Sequence, residues 1–305
     1  MVLTLLQAKV GMADKVDQQV IDTFRRESLL MDRLVYDDAV SPGTGGSTLV
    51  YGYQQIKTPA TAGFRAINSE YTANEAIKEA KTVKLAVLGG SFQIDRVIQS
   101  TSGQVAEATF QMEQKIKGAR NAFHNAIVNG SSVVDANSFD GLNKLLTGTS
   151  TELGTTAVID LTAMATQAAA FAFLDKIDDF LSELDGVPTM LMGNSKLINK
   201  IKSAARYAGY LSQSEDAFGK TVDAYNGIPL VDLGFYTSVS GGTPTTASVV
   251  GIFARTVGTA QTGLTDLYAV NVGIDGFHGV TPMGGIGIHS YLPDFKAPGA
   301  MKTGE

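Results

Sequence analysis

Cysteine is absent from the 305-residue chain, which excludes disulfides, zinc–thiolate sites and thiol catalysis. Apolar runs of about 18 residues are absent as well, so no segment is predicted to cross a membrane. Positive charge is scarce, with 24 Lys and Arg against 30 Asp and Glu. Non-specific binding of nucleic acid is therefore not expected, because phosphate binding needs clustered basic residues. The first residues, MVLTLLQAKVGMADK, lack the basic and long apolar regions of a secretion signal.

Complete catalytic motifs are also missing. Gly219-Lys220-Thr221 resembles the end of a phosphate-binding loop, but that motif requires a glycine where Ser214 stands. A nucleophile elbow at Gly193 fails because Leu197 replaces its last glycine, so Ser195 is better explained as a helix cap. We therefore predict that the chain is not an enzyme and that it binds no cofactor.

Titratable side chains show no arrangement typical of a metal site or of acid–base catalysis. His124, His278 and His289 lack ligand spacing with one another, and His124 is expected to be a hydrogen-bonded polar residue on a helix. Asp178 and Asp179 are neighbours on a predicted helix and so point in different directions. This pattern favours a solvated acidic face over a pair of catalytic carboxylates.

One long amphipathic helix dominates what the sequence does contain. Residues 101–130 carry an apolar face at three- and four-residue steps, formed by Val105, Ala108, Met112, Ile116, Ala119, Phe123 and Ile127. Thr101 and Gln104 resemble a capping box, and Asn129-Gly130 is a stop signal. About 26 helical residues span roughly 39 Å, which is two to three times the usual helix length. We interpret this helix as a spine.

The residues before it predict an N-terminal helix over 13–34. Its apolar stripe begins with Val16, Val20 and Phe24 and continues through Leu30, Met31 and Leu34, while Arg25, Arg26 and Arg33 supply basic charge on other faces. Two interpretations remain open for this segment. It is either a solvated surface helix or an arm that docks on a neighbouring subunit, since an apolar stripe has to be covered somewhere.

Alternating segments over residues 48–98 predict a long β-hairpin. Leu49, Tyr51 and Tyr53 share one strand face, and Val83, Leu85 and Val87 share another, with Phe92 and Ile94 continuing the pattern. Residues 57–81 between them are polar and are expected to form an exposed tip. The charged candidates for contact with a partner are Lys57, Arg65, Glu70, Glu75, Lys78, Glu79, Lys81 and Lys84. The alternative is a mobile surface loop.

The second half of the chain predicts a compact sheet-and-helix domain over roughly 150–275. Residues 139–146 predict a short helical turn, residues 160–184 predict a helix, and residues 189–192 predict a buried strand followed by a helix that Asn194 or Ser195 caps. Residues 207–221 are expected to be a polar loop, and residues 228–231, 249–257 and 267–274 to be strands. The nearly apolar strand 249–257 is expected at the centre of the sheet. Residues 285–292 alternate, and residues 293–305 show no element.

In the order of its parts the sequence resembles the tailed-phage major capsid proteins of the Hong Kong 97-type fold, particularly those of siphoviruses that infect Gram-positive hosts. The arm matches residues 20–34, the extended loop ends in GGSFQIDRVI, and the spine is followed by FDGLNKLL. The resemblance implies an α+β protein with an extended β-hairpin loop, a peripheral domain and an α/β axial domain. Its implied divisions are an arm at 1–47, an extended loop at 48–98, a peripheral domain at 99–154 with the spine at 103–129, an axial domain at 155–275, and a return to the peripheral domain with a tail at 276–305.

The resemblance also implies a function and partners. The chain would form pentamers and hexamers of an icosahedral head that encloses double-stranded DNA without sequence-specific contact, assembled in the cytoplasm of a host bacterium. Since the chain reaches its arm almost at once, a separate scaffolding protein is expected, together with a portal. The contact residues expected are Val16, Val20, Phe24, Arg25, Arg26, Arg33, Arg65, Glu70, Glu75, Lys78, Lys81 and Lys84. An encapsulin-type compartment is the nearest alternative; an enzyme or a tail-tube protein fits less well.

Some relatives in this family cross-link a loop lysine to an asparagine of the next subunit. That chemistry needs a neutral amine, which burial favours. Lys78, Lys81 and Lys84 lie in the matching region, but they stand among Glu75 and Glu79 in a polar segment that favours the charged amine. We therefore expect shells held together without covalent cross-links.

Overall fold

The computed structural model describes residues 28–38, 49–101, 107–154, 158–161, 164, 166–184, 186–209, 212–215, 221–240, 242–282 and 291–305. Its helices are α1 Leu29–Arg33, α2 Arg96–Thr101, α3 Glu107–Asn129, α4 Leu142–Leu146, α5 Gln167–Ser182 and α6 Ser195–Ala208. Its strands are β1 Tyr36–Asp38, β2 Val50–Thr58, β3 Ile77–Lys84, β4 Phe92–Asp95, β5 Met190–Gly193, β6 Ser212–Glu215, β7 Thr221–Tyr225, β8 Ile228–Val231, β9 Phe235–Ser240, β10 Thr243–Ser248, β11 Phe253–Val257, β12 Thr259–Leu264, β13 Leu267–Val270, β14 Gly279–Thr281 and β15 Met301–Gly304.

The described residues fall into two compact units. Within the described ranges, the larger unit takes in residues 28–35, 87–278 and 291–305, and the smaller unit takes in residues 36–86 and 279–282. The predicted division into arm, extended loop, peripheral domain and axial domain stays a prediction.

A five-stranded sheet in the order β13-β5-β8-β7-β6 organises the larger unit. Strands β5 and β8 are parallel and wholly buried, as their apolar sequences require. The predicted polar loop over 207–221 is wrong in part, because residues 212–215 pair antiparallel with β7. The polar side chains of this segment do not indicate the pairing.

The prediction that 249–257 forms the central strand is wrong. Val249 and Val250 are buried in a bend, and the chain then enters β11, which pairs with β12 in a separate two-stranded sheet. Gly251 lies between the bend and the strand and leaves no room for a side chain, because a Cβ atom there would meet the Phe253 ring at 2.5 Å. Burial of Val249 and Val250 therefore serves the core rather than a strand ladder.

Helices α5 and α6 pack together on one face of this sheet. Their apolar sides share a core with Leu191, Tyr225, Ile228 and Leu230 of the strands. The predicted helix over 160–184 begins later than expected, at Gln167, because the Thr166 hydroxyl accepts a hydrogen bond from the Ala169 N–H and caps it. Ala168 and Phe171 lie at helical spacing from the buried Leu174 and Ile177, but both are exposed.

The other face of the sheet packs on the spine helix α3. Met190, Met192 and Val231 form a second core with Ile127 and Val128 of α3, and Leu30 of α1 and Leu142 of α4 join this core. Strand residues alternate between the two cores, as a period of two requires. The predicted short turn around Leu142 is confirmed as α4.

Helix α3 confirms a long spine, with 23 residues spanning about 35 Å. The predicted Thr101 cap is wrong, because Thr101 is the last residue of α2 and its hydroxyl donates to the Val97 carbonyl at 2.6 Å. Gln104 and Val105 lie outside the described residues. Ile116, placed on the apolar face by its spacing, is 47% exposed, whereas His124 is buried.

Strand β4 corrects two predictions at once. Phe92 and Ile94 belong not to the hairpin but to an antiparallel pair with β15, so residues 293–305 contain an element after all. Two basic side chains beside this pair bind backbone carbonyls of the segment that precedes β15. Lys302 is buried, and its Nζ donates to Ala297 O at 2.5 Å and to Pro298 O at 2.9 Å. Arg96 Nη2 donates to Ala297 O at 2.7 Å as well.

The predicted continuous helix over 13–34 is broken at Ser28. Ser28 has an extended backbone, and its hydroxyl accepts the Met31 N–H at 3.2 Å, so helix α1 begins at Leu29. The remainder of that predicted helix, and most of the alternating piece 285–292, lie outside the described residues.

The smaller unit contains the β2–β3 hairpin and the parallel pair of β1 with β14. The hairpin occupies residues 50–84, so its strands reach further into the predicted tip than expected, and its loop is 59–76. Tyr36 of β1 packs over Gly279, where a Cβ atom would come within 2.6 Å of the ring.

Candidate intersubunit surface

The β2–β3 hairpin is the first candidate surface because it has no core of its own. Its strands carry β-branched and aromatic residues at intervals among polar ones, with Tyr51 opposite Val83 and Tyr53 opposite Lys81. Apart from Tyr51 and Glu79, every residue of the two strands is exposed. A two-stranded ribbon is marginally stable in water without a further layer.

Large apolar side chains in the hairpin loop are left open to solvent. Phe64 and Ile67 are 110% and 90% exposed, and Tyr71 and the strand residues Ile56 and Ile77 are exposed as well. The prediction of a polar tip overlooked Phe64, Ile67 and Tyr71, although three large apolar residues within eight positions are a visible signal. We name Phe64, Ile67 and Tyr71 the loop apolar patch.

The loop that carries this patch has a defined shape. Arg65 Nη1 donates to Ser69 O at 3.1 Å, and the Arg65 guanidinium lies 5.1 Å from the centre of the Tyr71 ring. Asn74 Oδ1 accepts the Thr61 N–H at 2.9 Å across the loop. These bonds argue against a loop without structure. They also show that Arg65, predicted as a contact residue, organises the loop.

The predicted hairpin charges do not form one cluster. Lys81 and Glu79 make a half-exposed ion pair at 3.5 Å. Because side chains alternate along a strand, Lys78 and Lys84 lie on one face of the hairpin and Lys81 lies on the other. Glu70 and Glu75 are exposed in the loop. Pairs of this kind contribute little to stability, since water screens them.

Tyr51 is the polar anchor of the smaller unit. Its hydroxyl donates to Asp37 Oδ2 at 2.9 Å, and the two tyrosines of β2 stack with their ring centres 6.5 Å apart. The hydrogen bond to Asp37, followed by burial and the charge of Asp37, raises the pKa of Tyr51. Strands β1 and β2 are therefore tied by a neutral phenol.

The predicted arm contributes one described contact site, where α1 meets the spine. His124 Nδ1 lies 3.2 Å from the Leu233 carbonyl, so this nitrogen carries the proton, and Nε2 accepts the Ser28 hydroxyl at 2.7 Å. Burial lowers the pKa of His124 to about 4, with Arg120 acting in the same direction and the Leu233 hydrogen bond opposing it. Arg33 Nη1 reaches Thr189 O at 3.5 Å. Val16, Val20, Phe24, Arg25 and Arg26 lie outside the described residues.

The described residues were searched for groups that could hold a metal ion and for helices that could cross a membrane. Over the ranges that the structure describes, no three His, Asp or Glu side chains come close enough to hold a metal ion. No helix within those ranges is both long and apolar enough to cross a membrane.

Comparison with known proteins shows similarity in structure but not in sequence. No protein-family model and no curated protein matches the chain. A chain of the holo-SrpI encapsulin complex from Synechococcus elongatus is similar, with a TM-score of 0.54 and 14% identity, covering 100% of this chain and 89% of that chain. The capsid of the native GTA particle has a TM-score of 0.47 at 16% identity and covers 76% of each chain. Mycobacterium phage Cain has a TM-score of 0.44 at 11% identity, covering 89% of this chain and 99% of that chain.

The encapsulin similarity covers the whole chain and therefore identifies the fold. The chain has the Hong Kong 97-type fold, a mixture of helix and sheet that phage capsids and encapsulins share. The fold that the order of its parts predicted is confirmed.

Proposed function

We propose that this chain is a structural shell subunit, a protein without enzymatic activity that assembles with copies of itself into a closed particle. The observation that carries the proposal is the loop apolar patch. Hydrogen bonds within the loop give it a defined conformation, and the hairpin that carries it has no core of its own. Three large apolar side chains exposed within eight residues of one loop support an interaction surface there, because a partner that covers them removes apolar area from water. Repetition of modest contacts by symmetry would stabilise the whole particle.

The finer proposal is a major capsid protein of a tailed phage. The chain would form the pentamers and hexamers of a head around double-stranded DNA, with a scaffolding protein and a portal as partners, and it would be found in the virion. Its support is the order and local wording of the arm, hairpin loop, spine and axial segments. The net charge of −6 agrees with this, because an acidic inner wall does not hold packaged DNA tightly.

An encapsulin-type compartment is a second candidate, and one observation favours it. The encapsulin similarity extends over 100% of this chain. The two candidates make the same kind of particle but differ in its contents, which are DNA in one case and protein in the other.

The test is expression of the chain, alone and with its genomic neighbours, followed by electron microscopy of particles and analysis of their contents. A Phe64→Ser/Ile67→Ser variant should fold but form at least about tenfold fewer particles, because each copy then loses its apolar contact with the next. The matched control is Val133→Ser/Val134→Ser, since these two valines are 83% and 89% exposed on another loop. The control should assemble normally. A wild-type chain that stays monomeric under all these conditions, or equal loss in both variants, overturns the proposal.

A further inference from the structure

Helices α5 and α6 carry charge of opposite sign on their exposed sides. Both bury an apolar side in the same core, so their other sides face away from the sheet. Helix α6 contains Lys196, Lys200, Lys202 and Arg206 and no acidic residue. Helix α5 contains Asp175, Asp178 and Asp179 and one lysine, Lys176.

Part of this charge is already used within the chain. Lys202 Nζ pairs with Asp223 Oδ2 at 2.7 Å. Asp178 Oδ1 accepts the Tyr225 hydroxyl at 2.8 Å and the Asn226 amide at 3.2 Å. These contacts within one copy account for Lys202 and Asp178.

The remaining charges repel within their own helices. Lys196 and Lys200 are exposed and four residues apart, and so are Asp175 and Asp179. A like-charge pair at this spacing destabilises a helix. Lys196 also stands in the first turn of α6 and Asp179 in the last turn of α5, where the helix dipole opposes each of them. Lys176 offsets Asp179 only weakly, since both side chains of that 3.1 Å pair are largely exposed.

The two pairs stand at the same end of the helix pair. Gln167 at the start of α5 donates to the carbonyl of Tyr207 near the end of α6 at 3.3 Å, so the helices run antiparallel. The acidic second half of α5 therefore lies level with the basic first half of α6. No ion pair joins α5 to α6 among those found in the described residues.

We propose that the basic pair Lys196 and Lys200 of one copy docks against the acidic pair Asp175 and Asp179 of a second copy. The inference rests on the proposed shell function and names one of its contacts. In a ring the contact is head-to-tail, with the basic pair of each copy against the acidic pair of the next. Rotation about an axis parallel to the helices does not change the height of either pair along that axis. The basic pair of one copy can therefore meet the acidic pair of the next only if both pairs stand at the same end, as they do here. Charge complementarity of this kind sets orientation and partner choice more than affinity.

The test is a charge exchange. Lys196→Glu/Lys200→Glu and Asp175→Lys/Asp179→Lys are made separately and then together in one chain. Each separate reversal should lower the fraction of chain in sedimented particles about tenfold at low salt, because like charges then face each other, and the loss should shrink at high salt. The combined variant should return to within about threefold of wild type, because opposite charges face each other again.

A control variant distinguishes this contact from a general effect of net charge. Lys115→Glu/Lys296→Glu makes the same change in net charge as Lys196→Glu/Lys200→Glu, but at exposed positions outside the two helices. This control should assemble as the wild type does. The proposal is overturned if the combined variant assembles no better than the separate ones, or if the separate variants assemble normally. It is also overturned if the loss in the separate variants and the recovery in the combined variant appear only in the Tm of the unassembled chain. That result would place the attraction inside one copy.

Two further results are distinguishable. Particles of the Lys196→Glu/Lys200→Glu variant that form normally but hold less DNA, by their absorbance ratio, would make nucleic acid the occupant and overturn the proposal. A wild-type chain that never forms particles would instead overturn the proposed shell function.

Discussion

His124 shows how one residue joins two elements in the larger unit. Its ring accepts a hydrogen bond from Ser28 of the arm on one side and donates one to the Leu233 carbonyl on the other. This arrangement works only for the neutral ring with hydrogen on Nδ1. The sequence predicted a hydrogen-bonded histidine here, and that is confirmed, but it could not indicate the partners, which are 96 and 109 residues away.

His124 should make stability depend on pH. Its pKa is lowered from 6.5 to about 4 in the folded chain, so the unfolded chain binds the proton more readily. The contribution is fully present above pH 6.5 and is lost as pH falls toward 4, amounting to on the order of 3 kcal/mol. Urea unfolding of unassembled chain from pH 7 to pH 4.5 checks this. His124→Gln should be less stable at pH 7 but should lose less on acidification, and parallel curves for the two chains would contradict the expectation.

Asn194 shows why a residue-level prediction can remain undecided. The sequence left the cap of α6 open between Asn194 and Ser195, since both types cap helices. Asn194 is the cap, and its amide also donates to the buried Val250 carbonyl at 2.6 Å. Ser195 is instead the first residue of the helix. The partner that decides the matter lies 56 residues further along the chain, where no local pattern indicates it.

At the scale of elements, periodicity located helices well and strands less well. The long spine, the α4 turn and the strands β5 and β8 follow from apolar spacing alone. Strands β6 and β15 were missed, because a polar strand is stabilised by its partner rather than by its own side chains. Residues 249–257 were misjudged for the converse reason, since apolar residues can fill a core without joining a sheet.

The hairpin loop should be separable from folding. Replacing residues 59–76 with a short Gly-Ser link leaves β2 and β3 joined and removes the loop apolar patch, so Tm should change by only a few degrees. Assembly into particles should fail because the patch is gone. The Tm of the unassembled chain and electron microscopy provide the two measurements.

The outcome for the shortened chain has two clear failures. Normal particles would show that the loop takes no part in assembly. An unfolded chain would show that the loop belongs to a core after all, against the exposure of Phe64 and Ile67.

For the whole molecule, the order of parts was more informative than any single motif. The described hairpin, spine and five-stranded sheet follow each other as expected, and the fold is confirmed by its similarity to a chain of an encapsulin complex. The predicted division into domains, with its arm, stays a prediction. The candidate surface was predicted less well. The hairpin was found, but its apolar patch was overlooked because Phe64, Ile67 and Tyr71 are spaced among small and polar residues in the loop sequence. The charge contact proposed for α5 and α6 depends on how the two helices pack, which the sequence does not indicate.

Particles of this protein should come apart into single chains in denaturant. The hairpin lysines are exposed, and Lys81 pairs with Glu79, so the described hairpin does not provide the buried surroundings that lysine cross-linking needs. On a boiled denaturing gel we expect one band near 32.1 kDa, or a smaller one if the chain is trimmed. A ladder of multiples that survives boiling would contradict this, and Lys78→Arg, Lys81→Arg and Lys84→Arg variants would then locate the bond.

The pairing of β4 with β15 affects how a new copy is made. Gln93 and Thr303, which face each other across this pair, are 210 residues apart. Translation at about 5–20 residues per second separates the two strands by roughly 10 to 40 seconds. During that interval Phe92 and Ile94 have no strand to cover them, and they are natural targets for a chaperone. The speed of the ribosome, rather than the strength of any contact, therefore sets the earliest moment at which a copy is complete.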